Sequence, residues 1–181
     1  AINQKNPELV GEERKKVART VGIGAVKYAD LSTERTKDYV FDWERMLSFE
    51  GNTAPYLQYA YARICSIFRK WDGDRASLRE NFESLLEDDL GILTTEELTL
   101  ARRLVEFPSI MDDSISTFSP HKLCKHLHSV ASAFASFYEN CSILKEENDD
   151  LSKRRLALCD LTARELQLGL GILGIDVPER M

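Results

Sequence analysis

Apolar residues recur along most of this chain at intervals of three and four, the spacing of helices with one buried face. In residues 12–29, Val17, Val21 and Ala25 share a face flanked by Ala18 and Tyr28, which predicts a helix despite Gly22 and Gly24. Two glycines weaken a helix, so they imply close packing against another backbone. The period drops to two at residues 39–43 (YVFDW). Tyr39, Phe41 and Trp43 fall on one side there, and Val40 and Asp42 on the other, the pattern of a short strand. Gly51-Asn52 punctuates the chain, and everything beyond is helical in pattern.

Thr53 is placed to cap a helix that runs to about Trp71, and Pro55 fits its first turn, where a missing N–H does no harm. A helix advances about 100° per residue, so Tyr56, Tyr59 and Arg63 form one stripe. Leu57, Tyr61, Ile64 and Phe68 form a second, which places Tyr61 in the core. One seam is for burial, and an aromatic–cationic seam is left over. Flat rings beside a guanidinium suit unstacked nucleobases; the same spacing also describes half-buried tyrosines with their hydroxyls in water.

Asp72-Gly73-Asp74 ends that helix, and others are predicted at residues 76–87 and after a cap at Thr94 or Thr95. In the latter, Leu98, Ala101, Leu104 and Val105 are expected to face inward. Pro108 separates it from a short helix around residues 110–115. Ser119-Pro120 opens the next, where Leu123, Leu127, Val130, Phe134 and Phe137 make a packed seam. Residues 141–150 read as an acidic loop. The last helix, residues 151–173, carries Leu156, Cys159, Ala163, Leu166, Leu170 and Leu173 on one face. Leu158, Leu161 and Leu168 lie off that face, which predicts burial on several sides. Gly174 is a C-terminal cap, and Pro178 prevents resumption. The fold class is all-α, a helical bundle preceded by a helix-and-strand connector.

The 181 residues suit one domain, or one with an extension, and 43% hydrophobic content supports a core. A net charge of −6 argues against a nucleic-acid binder unless basic residues are locally placed. Arg14-Lys15-Lys16, Arg102-Arg103 and Lys153-Arg154-Arg155 are such clusters, each readable as a solvated helix face or as a phosphate contact. Cys65, Cys124, Cys141 and Cys159 show no paired spacing and read as reduced core thiols of a cytosolic protein. No apolar run suits a membrane span, and no signal peptide is visible. The chain opens on Ala1 within helical sequence and is taken as a piece of something longer.

Enzyme motifs are missing: no P-loop, no G-x-S-x-G and no H-E-x-x-H occurs. His121, His126 and His128 cluster without an acidic or cysteine partner nearby in sequence, so they read as surface or first-turn histidines and not as metal ligands. The acid pairs Asp88-Asp89, Asp112-Asp113 and Asp149-Asp150 are expected at helix ends or in loops, complementing helix dipoles.

Four stretches carry a resemblance: VGIGAVKYADLS (21–32), YVFDWERMLSFEGNTAPYLQYAYAR (39–63), FYENC (137–141) and LGIDVPERM (173–181). Over essentially its whole length the chain resembles the C-terminal part of arginyl-tRNA synthetases of bacterial type. The resemblance implies a DALR-type, all-helical anticodon-binding domain over residues 51–181, and over residues 1–50 a connector from the catalytic core. Asp-Ala-Leu-Arg itself is absent, and residues 21–32 occupy the comparable stretch. Enzymes of this class I family join arginine to its tRNA using ATP and magnesium, through a His-x-Gly-His type motif and a Lys-Met-Ser-Lys-Ser type loop. Neither is present here, so the fragment is expected to be inactive alone and to need no cofactor of its own. The implied partners are arginine tRNA and the rest of the synthetase, in a cytoplasmic monomer without a membrane.

By the same resemblance, Tyr56 and Tyr59 match tyrosines that hold anticodon-loop bases, and Arg63 on their stripe is placed to pair a phosphate. Tyr138 matches another loop-contacting tyrosine, and Met181 the chain end close to the anticodon. Arg69 matches a loop-contacting arginine, although it points away from the tyrosine stripe. Phe41 and Trp43 are expected to be packing residues. The rival expectation is a helical protein–protein adaptor with no RNA role, which the acidic charge and absent catalytic half favour.

Overall fold

The computed structural model describes residues 10–80 and 93–181. Among these the helices are α1 (Gly11–Leu31), α2 (Trp43–Met46), α3 (Ala54–Lys70), α4 (Ser77–Glu80), α5 (Thr95–Val105), α6 (Phe107–Ser116), α7 (Pro120–Asn140) and α8 (Asp149–Ile172). No strand occurs among the described residues. Helix α7 is the hub: α1, α3, α5, α6 and α8 all pack against it. The seam read from sequence is its buried face, with Leu123, Leu127, Val130, Phe134 and Phe137 all 2% exposed or less. Helix α8 packs tightly on α7 at Gly169, where a methyl group in place of hydrogen would lie 2.6 Å from Leu127 Cδ2. Residues 154–160 of α8 are buried all round, and Leu161 and Leu168 open to solvent farther on.

The ends of the helices follow local chemistry. Thr53 caps α3 by accepting the Tyr56 N–H at 3.2 Å, and Gly51 before it takes φ +76°, which a glycine adopts without strain. Thr94 and Glu97 form a reciprocal capping box on α5. At the end of α8, Gly174 (φ +70°) and Ile175 donate back to the carbonyls of Gly171 and Leu170, a Schellman motif. Pro108 begins α6 instead of only ending α5.

Several expectations are corrected. The strand at residues 39–43 does not form: among the described residues no second strand takes its backbone hydrogen bonds. Asp42 instead caps α2, accepting the N–H groups of Glu44 and Arg45. Phe41 and Trp43 are not core packing residues: they are 52% and 54% exposed and meet each other edge to face at 4.9 Å. In α5 the inward stripe is Glu97, Leu100 and Leu104, while Leu98 and Val105 face out. Of the two glycines in α1, Gly24 is the one in close contact; nothing lies near Gly22. His126 is buried and lies 2.7 Å from Glu165, a partner 39 residues away. Asp113 is no dipole complement but pairs with Lys122 at 2.7 Å. The pair Asp88-Asp89 and most of the helix expected at 76–87 fall outside the described residues.

Polar groups inside the bundle are partnered across long stretches of chain. The Tyr28 hydroxyl of α1 lies 2.6 Å from Asn52 Oδ1 and 2.8 Å from the Cys124 carbonyl, tying α1 to the start of α3 and to α7. Burial pushes that phenol well above the ordinary tyrosine range. Glu97 receives Arg155 Nε at 2.9 Å and Arg154 Nη2 at 3.5 Å, joining α5 to α8. All four cysteines are free and buried. Burial raises the thiol of Cys65, takes that of Cys124 to about 12 and pushes that of Cys159 higher still.

Candidate nucleic-acid interface

Helix α3 carries the two stripes its sequence implies. Leu57, Tyr61 and Ile64 are buried, while Tyr56, Tyr59 and Arg63 are half-buried at the surface. The cap at Thr53 sets where α3 begins, and so fixes the direction in which Tyr56 and Tyr59 leave it. Thr53 is itself held, its hydroxyl donating to the Ser48 carbonyl at 2.6 Å.

Arg63 lies between two rings. Its guanidinium carbon is 5.0 Å from the centre of Tyr59 and 4.8 Å from that of Tyr138, and Nη2 donates to the Tyr59 hydroxyl at 3.3 Å. A cation over two aromatic faces holds both rings in place, each contact worth about 0.5–2 kcal/mol. Tyr138, near the end of α7, is 39% exposed and also touches Phe134, 6.0 Å away. The sequence separates Tyr59 from Tyr138 by most of the bundle, and the packing of α3 on α7 brings them to one cation.

Met181 completes this corner from below. It is 6% exposed and clusters with Val17 and Val21 of α1 and Ala62 of α3. Tyr59 and Phe49 pack against that cluster, with their rings edge to face at 6.0 Å. Val17 also lines a groove of about 580 Å³ between α1 and the last residues, whose rim carries Lys16 and Arg180 as well as Glu13, Asp176 and Glu179.

Tyr56 sits one turn earlier and meets His128 of α7, ring centres 5.6 Å apart. Burial lowers the His128 imidazole below the ordinary histidine value, against a smaller opposing effect of the Gly51 backbone. Arg69 stands apart from the aromatic cluster. It is exposed at the far end of α3, and its Nη1 donates to the Glu179 carbonyl at 3.0 Å. Tyr59, Arg63, Tyr138 and Met181 thus gather in one place, with Tyr56 alongside and Arg69 at the rim. Phe49 and His128 belong to the same surface. Sequence reasoning missed both, because neither lies on α3 and only tertiary packing brings them to it.

The profile of the DALR anticodon binding domain matches residues 57–181, and that of the tRNA synthetases class I (R) catalytic domain matches residues 1–43. The chain is 49% identical to an arginine–tRNA ligase of Proteus mirabilis over 180 residues, covering 99% of this chain and 30% of that protein. The structure superposes on the arginyl-tRNA synthetase of Thermus thermophilus with a TM-score of 0.83 at 32% identity, over 99% of this chain and 29% of that one. For the arginyl-tRNA synthetase of Plasmodium falciparum the TM-score is 0.79 at 32% identity, over 92% and 28%. The chain therefore spans about 30% of the length of the curated relatives it matches.

Proposed function

This chain belongs to the DALR anticodon binding domain family, and from that we propose that it is the part of an arginine–tRNA ligase that grips the anticodon arm. The observation that carries the reading is the aromatic–cationic corner: Tyr59 and Tyr138 held on either side of Arg63, with Tyr56 one turn away on the same helix. Unstacked bases bind on such rings, and nearby cations take the phosphates between them. Tyr56, Tyr59 and Tyr138 are the base contacts in this reading, Arg63 the cation among them, and Met181 the floor beneath them, with Arg69 at the rim.

Residues 51–181 form the anticodon-binding domain and residues 1–50 the connector to a catalytic part. Charging of arginine tRNA with ATP and magnesium belongs to that catalytic part, in a cytoplasmic, monomeric enzyme. This chain contributes affinity and orientation: it holds one end of the tRNA while the acceptor end reaches the active site.

The test is binding of an arginine tRNA anticodon stem–loop, followed by fluorescence anisotropy. Replacing Tyr56 or Tyr59 by alanine should weaken binding roughly tenfold each, the low end of what loss of one stacked base costs. Circular dichroism should show the helix content unchanged. Binding that survives the double substitution, or recovery of a stoichiometric protein partner in place of tRNA, would leave the adaptor reading standing.

A further inference from the structure

Beyond Gly174 the chain has no regular structure, yet it is pinned down to its last residue. Irregular backbone laid against a protein surface needs partners for its carbonyls. Here three side chains from two helices supply them. Lys27 of α1 donates to the Gly174 carbonyl at 2.5 Å, Gln58 of α3 to that of Asp176 at 2.8 Å, and Arg69 of α3 to that of Glu179 at 3.0 Å. Ile175, between the first two ties, and Met181, beyond the last, are 1% and 6% exposed. Gln58 is fully buried, and Gly24 gives it room: a methyl group there would come within 2.9 Å of its Nε2 and 3.1 Å of Ile175. The segment ends with Met181 in the small cluster against which Tyr59 and Phe49 pack.

We propose that residues 174–181 are a strap that holds the Tyr59 ring in its RNA-binding position, and that Gln58 and Arg69 are positioning residues acting through it. This rests on the reading of Tyr59 as a base contact. It assigns Arg69 a different task from a phosphate contact: its guanidinium holds the strap at Glu179, two residues before Met181, and Gln58 holds it at Asp176. Release of either tie frees Met181 from the cluster and loosens the packing on which Tyr59 rests.

The chain has three methionines, Met46, Met111 and Met181, so methyl-¹³C methionine labelling reports Met181 as one of three signals. Arg69 is exposed, so Arg69→Leu leaves the core untouched. In Arg69→Leu the Met181 methyl signal should move toward its position in an unfolded chain, and the stem–loop should bind about fivefold to tenfold more weakly, a partial loss of one stacked ring. Arg69→Lys, which keeps a donor, should restore both. Arg69→Leu combined with Met181→Ala should be no weaker than Met181→Ala alone, because both act through one element. An unmoved methyl signal in Arg69→Leu overturns the strap, whatever the RNA does. A moved signal with unchanged affinity, while Tyr59→Ala still weakens binding, overturns the positioning role and leaves the proposed function intact. Additive effects of the two substitutions would make Arg69 a direct RNA contact and overturn the assignment. If Tyr59→Ala itself has no effect, the reading of the site and the positioning role fall together.

Discussion

Glu97 and Glu165 are both buried acids of the bundle, and their surroundings drive them in opposite directions. Burial alone would raise the Glu97 carboxyl, but the Thr94 N–H, Arg155 and Arg154 outweigh it and hold the group below its ordinary value of 4.5. An acid whose folded value is lowered stabilises the fold above its unfolded value, and that contribution is lost as pH falls through the folded one. At Glu165 burial wins over the neighbouring His126, and the carboxyl is raised. Its contribution is present below the ordinary value and is lost as pH rises through the folded one. Glu97→Gln should therefore cost about 3 kcal/mol at pH 7, the lower end for removing one member of a buried ion pair, and the deficit should shrink toward pH 4. Glu165→Gln should instead gain on the parent as pH rises from 4 to 7. Urea unfolding of both variants across that range checks the signs. Neither environment was legible in the sequence, since Arg155 lies 58 residues from Glu97 and His126 lies 39 from Glu165. The tyrosine stripe was legible because its geometry is local: Tyr56, Tyr59 and Arg63 occupy successive turns of one helix.

Among the elements, periodicity worked where a helix has one wide apolar face. The face of α7 is the one its spacing implies. It misled in α5, where a fully buried Glu97 takes an inward position and Leu98 and Val105 are turned out. A carboxylate in the core reads as surface until its arginines are known. The alternation in residues 39–43 failed for another reason: a strand is a property of a pair, and the described residues offer no partner. The close approach of α7 and α8 hangs on Gly169, whose lack of a side chain leaves room for Leu127. Gly169→Ala places a methyl group inside that contact and should cost about 1–3 kcal/mol despite the better helix propensity of alanine. A thermal melt beside that of Gly171→Ala, where nothing lies near, separates packing from propensity.

At the scale of the whole molecule, a net charge of −6 means that the proposed RNA partner has to be met by locally placed cations. Arg63 sits among the rings, while in the groove beside them Lys16 and Arg180 are mixed with Glu13, Asp176 and Glu179. With so few cations engaged, the stem–loop affinity should fall with salt on a shallow log–log slope of about −2, one unit or less per phosphate neutralised. Titration of the complex between 50 and 300 mM potassium chloride measures it, and a slope near zero would remove phosphate contacts from the reading. The overall assembly was the least legible feature of the sequence. Lys27 meets Gly174 across 147 residues, and Arg69 meets Glu179 across 110. Such pairings depend on the register of helices whose faces alone are visible in the sequence. The four interior thiols bear on how the surface can be labelled. Buried, and with three of them held from ionising at neutral pH, they offer a maleimide dye almost nothing to react with. A single cysteine introduced on an outward face, such as the turn after α6, would then be the one site that takes a fluorophore, with none of the native cysteines removed first.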